Sequence, residues 1–184
     1  KQKGFPTAYG ALSWPPFDII GDTLRGTRGI MGDMIRRPDK LHKALEIATQ
    51  LCIDYGSAAA GSDLPLAWVW MHKGSEGFMS DEQYATFYWP YLKRAIGCIV
   101  VIYCEGDDTS RLKYFVDVPK NKVVYHFAVM DMAKAKEMLH GIAAISGNVP
   151  NRLLLTGTPD DVKAYCKWLI DTVGKDGGYI MDTS

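Results

Sequence analysis

The sequence has no surplus of charge: 21 Lys and Arg stand against 21 Asp and Glu in 184 residues. A nucleic-acid-binding surface needs a basic excess to displace counterions from phosphates, so this balance argues against a nucleic-acid partner. No apolar run reaches the roughly 20 residues of a membrane-spanning helix. The first ten residues lack the zones of a secretory signal, and no membrane partner is expected. Cysteine is scarce. Cys52, Cys98, Cys104 and Cys166 form no C-x-x-C pair, which excludes a zinc ribbon and a thioredoxin-type motif. Three of them fall in apolar or helical patterns, where a buried reduced thiol is the plain reading, and a reducing, cytoplasmic setting fits. No G-x-G-x-x-G follows a strand-like segment, which lowers the dinucleotide-fold reading.

What is present is an ordinary globular composition, 47% hydrophobic and 23% charged, long enough for one domain over residues 1–184 with a sizeable core. Residues 4–29, rich in Gly, Pro and aromatics, read as a strand end followed by a structured loop. Helical pattern covers residues 31–55, and Pro38 predicts two helices meeting near Arg37. Leu64 to Met71 is strand-like. Ser80 with Glu82 and Gln83 predicts a helix start, and Pro90 kinks or splits that helix. Its stripe of Tyr84, Phe87, Tyr88 and Tyr91 reads as core. Strands are then predicted at 98–103, 122–127, 142–146 and 179–181. Helices are predicted at 110–116, from Asp131 to about Leu139, and from Thr158-Pro159 to about Val173. About five βα units in alternation mean an α/β fold of parallel strands with crossover helices. A doubly wound sheet and a TIM barrel both fit. A complete barrel takes about 250 residues. The chain does not start with methionine, and it stops where a strand would hand over to a loop. If it is a barrel, upstream strands are missing.

Five segments in order carry a family resemblance: LRGTRGIMGDMIRRPDKLHKALE, HKGSEGFMSDEQYATFYWPYLKRAI, CEGDDTSRLKYFVDVPKNKVVYHF, AISGNVP and LLLTGTPDDVKAYCKWLIDTVGKDGGYIM. Together they resemble the uroporphyrinogen decarboxylase superfamily over most of the chain. The resemblance implies the C-terminal portion of a (β/α)8 TIM barrel with its site at the C-terminal face. Missing sequence or a partner chain would supply the rest of the barrel. It also implies one of two chemistries. One branch decarboxylates a porphyrinogen without a cofactor. The other moves methyl groups between a small methyl donor and a corrinoid protein, with zinc as Lewis acid.

The family's methyltransferases carry a His-x-Cys pair after one strand. Here the matching strand ends Tyr103-Cys104-Glu105-Gly106, so that pair is absent. Glu105 instead follows one strand and His126 ends the next. Adjacent strands lie about 4.8 Å apart, so both side chains could reach one ion, and carboxylate plus imidazole is a zinc donor set. The arrangement resembles methoxyl-demethylating members that use Glu, His and a late Cys, which would fall beyond Ser184. Asp107 is expected to hold a ligand from behind. The plainer alternatives are a solvent-facing turn Glu and a hydrogen-bonded core His. Cys104 and Glu105 point opposite ways along a strand, and Cys104 reads as a buried thiol rather than a ligand. In the glycine-containing loop from Trp70 to Met79, His72 and Lys73 are candidates for a substrate carboxylate or corrinoid tail. The alternative is a packed lid with solvated charges. Asn148 is a candidate substrate contact or a plain turn residue, and Arg36 and Arg37 read as surface charges. The decarboxylase ranks second. A non-catalytic half-barrel whose strand edges another chain covers ranks third.

Overall fold

The computed structural model describes residues 11–60, 66–96 and 99–184. The chain divides into two compact units. The first takes Lys1–Gly74 and Phe78–Val101, and the second takes Ser75–Gly77 and Ile102–Ser184.

In the first unit β1 (Ala11–Ser13) leads into α1 (Pro16–Ile19), a π-helical turn at Ile20–Arg25, and α2 (Gly26–Arg36). The expected structured loop is therefore helical. Pro16 occupies the first helical position, where its preset φ fits and its missing N–H costs nothing. Phe17, Ile20 and Ile30 are buried, and the surrounding Gly and Pro obscure that apolar face in the sequence. The part of the predicted strand end before Ala11 lies outside the described residues. Pro38 splits the next helix as predicted: α2 ends at Arg36 and α3 runs Pro38–Ala60. Arg36 and Arg37 are exposed. Leu41, Leu45, Ala48 and Cys52 of α3 are buried, spaced four, three and four as one helix face requires.

β2 (Leu66–Met71) pairs with β1 in parallel, Leu12 opposite Trp68. Ser80 then caps α4 (Asp81–Gln83): its hydroxyl accepts from the Gln83 N–H, and the Gln83 side chain accepts from the Ser80 N–H. Removing this cap by Ser80→Ala is expected to cost about 1 kcal/mol, read as a lower denaturant midpoint with unchanged slope. The helix passes through a π-helical turn (Tyr84–Tyr88) into α5 (Trp89–Ala95), whose first turn accommodates Pro90. Tyr84, Phe87, Tyr88 and Tyr91 are buried, as expected.

β3 (Ile99–Asp107) carries the chain into the second unit, which continues with a 3-10 turn (Thr109–Arg111) and α6 (Leu112–Phe115). Then follow β4 (Val123–Val129), α7 (Met132–Leu139), β5 (Ala144–Gly147), α8 (Asn151–Thr156), α9 (Pro159–Leu169) and β6 (Tyr179–Ile180). β4 pairs with β5 and β5 with β6, both in parallel. Asp131 and Thr158 cap α7 and α9 as the sequence predicts. The sequence does not announce α8. Its Leu154 and Leu155 are exposed, so it has no buried stripe to betray a helical period. Tyr125 and Phe127 stack with Phe115 in a core that includes Ile102 and Cys104. The opposite face of β3 therefore carries Tyr103 and Glu105.

Candidate active site

Two polar clusters form, one in each unit. In the second unit the central residue is His126, at the middle of β4 and only 5% exposed. Its ring stacks on Tyr103 with centroids 5.0 Å apart. That contact places it on the face of β3 from which Glu105 also projects. His126 Nδ1 lies 3.2 Å from the Ser146 hydroxyl and 3.7 Å from Asp182 Oδ2. Burial pulls the imidazole below its ordinary pKa, against the opposing Asp182 carboxylate and Thr183 backbone. That direction favours the neutral imidazole, the form that ligates a metal. Glu105 is exposed.

Cys104 is fully buried on the other face of β3, and burial raises its thiol well above the ordinary range. It is the inert core thiol of the plainer reading. Asp107 accepts from the Thr109 N–H at 3.0 Å, and its carbonyl accepts from the Glu76 N–H at 3.3 Å. Those bonds close the turn after β3. Asn148 is buried. Its amide donates to the Met130 carbonyl at 3.2 Å and accepts from the Tyr165 hydroxyl at 3.0 Å. Both ends of this side chain are thus engaged within the chain, by the Met130 backbone and by Tyr165 of α9.

In the first unit His72 and Lys73 come together at the end of β2, held by residues that sequence reasoning missed. The buried Asp18 carboxylate accepts from the Tyr88 hydroxyl (2.6 Å) and from the backbone N–H groups of His72 (2.9 Å) and Lys73 (3.1 Å). Asp22 lies 3.0 Å from His72 Nδ1 and also accepts from the buried Lys73 ammonium. Burial raises the Asp22 carboxyl, but the bonds from Lys73 and His72 outweigh it and hold the group below the usual carboxylate range. Burial pushes Asp18 up to about 6, with Tyr88, His72 and Lys73 opposing. The Lys73 charge is therefore matched inside the chain by Asp22. The signal that could have found this cluster is Asp18 and Asp22 four apart, on one face once the segment is helical.

Among the described residues no three His, Cys, Asp or Glu side chains gather into a metal-sized group. Among the same residues no helix is long and apolar enough to cross a membrane.

The model of the uroporphyrinogen decarboxylase (URO-D) family matches residues 16–184. A solved structure, a methyltransferase from Methanosarcina mazei, is similar to this chain with a TM-score of 0.78 and 22% identity. The match covers 100% of this chain and 55% of that one, so this chain spans little more than half of its length. The likeness carries the fold: an α/β arrangement of parallel strands and intervening helices that forms part of a barrel. No curated protein sequence matches the chain.

Proposed function

The chain belongs to the URO-D family, and from that premise we propose that the whole protein is a zinc-dependent methyltransferase. It would move a methyl group between a small methylated substrate and a corrinoid protein. The observation that carries this reading is the placement of Glu105 and His126. Glu105 stands two residues before the C-terminal end of β3 and His126 at the middle of β4, on the face marked by the Tyr103–His126 stack, and barrel enzymes draw site residues from strand C-termini, as Glu105 is placed. A carboxylate oxygen and a neutral imidazole are chemically suited to zinc. On this reading Glu105 and His126 would hold the ion, and a further donor comes from outside the described residues. Bound there, zinc would polarise a methyl-bearing oxygen or nitrogen, or hold a thiolate acceptor.

The chain's own residues support such a site in definite ways. Tyr103 covers one face of the His126 ring and excludes water from it. The Asp107 turn fixes the backbone two residues beyond Glu105.

The test is the zinc content of the intact protein beside Glu105→Gln and His126→Ala. About one zinc per chain is expected, lost in both folded variants. A folded wild-type protein without zinc overturns the reading and turns attention to metal-free porphyrinogen decarboxylation.

A further inference from the structure

Charge balances over the whole chain, but not along α2. Arg25, Arg28, Arg36 and Arg37 line a groove of about 120 Å³ together with Gly29, Gly32 and Asp33. Asp33 is the acid among these lining residues. Its carboxylate accepts from Arg25 Nε at 2.6 Å and Nη2 at 3.1 Å, and Arg37 Nη1 stands 3.9 Å away. Four guanidinium groups against one carboxylate leave an excess of three positive charges in the lining. Arg28, Arg36 and Arg37 are exposed. The two glycines differ. A Cβ at Gly29 would lie 3.2 Å from the Arg25 Cβ, so its absence lets the Arg25 side chain lie along the helix toward Asp33. A Cβ at Gly32 would meet nothing within 4 Å, and neither glycine has a positive φ. Glycine inside a helix is less stable than alanine, and packing does not require it at position 32. Its effect is to leave bare helix backbone beside the arginines. The groove is also anchored. The π-helical turn that ends in Arg25 follows the C-terminal end of β1, and its Asp22 bonds His72 and Lys73 at the end of β2.

We propose that this groove binds a diphosphate group, held by Arg28, Arg36 and Arg37 and admitted by Gly32. A guanidinium presents paired N–H donors that match phosphate oxygens, and it stays charged at physiological pH. A single carboxylate would leave most of the positive excess unmatched, whereas a diphosphate carries several negative charges on a compact frame. The site lies wholly in the first unit and is independent of the zinc reading of Glu105 and His126.

Isothermal titration calorimetry of the intact protein with inorganic pyrophosphate and with ADP, at about 0.15 M salt so that loose surface attraction is screened, tests it. Saturable binding of pyrophosphate with a Kd of about 1 mM or tighter is expected. Arg28→Gln and Arg36→Gln should each weaken it about 10-fold, through loss of a charge-assisted contact. Arg152→Gln, which removes an exposed arginine of α8, should leave it unchanged. Gly32→Leu should abolish binding with a thermal midpoint no lower than wild type, because leucine suits a helix better than glycine and meets open space there. Binding of pyrophosphate but not ADP identifies the free ion as the ligand, and binding of both identifies a diphosphate carried on a larger molecule. No saturable binding of either probe overturns the inference. So does binding that Arg28→Gln, Arg36→Gln and Gly32→Leu all leave at wild-type strength. Either result leaves the zinc reading standing.

Discussion

Asp18→Ala is expected to lower the stability of the protein by about 3–5 kcal/mol at neutral pH, because it leaves three buried donors without their acceptor. The Tyr88 hydroxyl and the N–H groups of His72 and Lys73 all converge on this one carboxylate, and Tyr88 is itself nearly inaccessible. The damage should be felt at the site as well as in the fold, since the same bonds set the direction in which β2 delivers His72 and Lys73. Chemical denaturation measures the loss. A cost below about 1 kcal/mol would mean that water replaces the carboxylate.

The same residue predicts a pH dependence. Burial raises its carboxyl from 3.8 to about 6. Below 3.8 the group is protonated in both states and its charge costs nothing. As the pH rises the unfolded chain ionises first, and stability is lost until the folded group also ionises near 6. Above that the loss is complete, at about 3 kcal/mol. Asp18→Asn has no such titration. The stability of wild type relative to Asp18→Asn is therefore expected to fall by about that amount between pH 4 and pH 7, as followed by urea denaturation at each pH. A difference that stays flat, or rises, contradicts the buried-carboxylate account.

Gly147→Ala is expected to be comparably damaging, at about 3–5 kcal/mol. Gly147 has φ +101, a conformation that side chains rarely adopt. A Cβ built there would lie 2.4 Å from the Phe127 carbonyl oxygen. The obstacle is backbone of the neighbouring strand, paired with Gly147 in register, and it cannot swing aside as a side-chain tip would. Strain and overpacking each contribute about 1–3 kcal/mol. The shift would fall one residue from Ser146 and pull its hydroxyl away from His126. Thermal unfolding reads the stability loss. A variant as stable as wild type would show that β5 can move at no cost.

The sequence by itself determined the order and type of most elements and the α/β class. Residues such as Pro38, Ser80, Asp131 and Thr158-Pro159 act through local backbone geometry, and the first part of β3, up to Cys104, is a continuous apolar run. It expected Glu105 just past one strand and His126 at the end of the next, but β3 runs on to Asp107 and β4 to Val129, so Glu105 lies inside β3 and His126 at the middle of β4. It missed what depends on contacts between distant segments. The helical run after β1 forms because Phe17, Ile20 and Ile30 find a common core, and α8 has no buried face to read. Asp18 and Asp22 become partners of His72 and Lys73 only when residues more than 45 positions away fold against them. Asn148 reads in the sequence as a substrate contact or a turn residue, and its bonds to Met130 and to Tyr165 of α9 depend on segments folded against it. The strand face that takes Cys104, and the convergence of Ser146 and Asp182 on one nitrogen of His126, were decided by the tertiary structure alone. Alternation says that neighbours along a strand point opposite ways, but only packing chooses which face is buried.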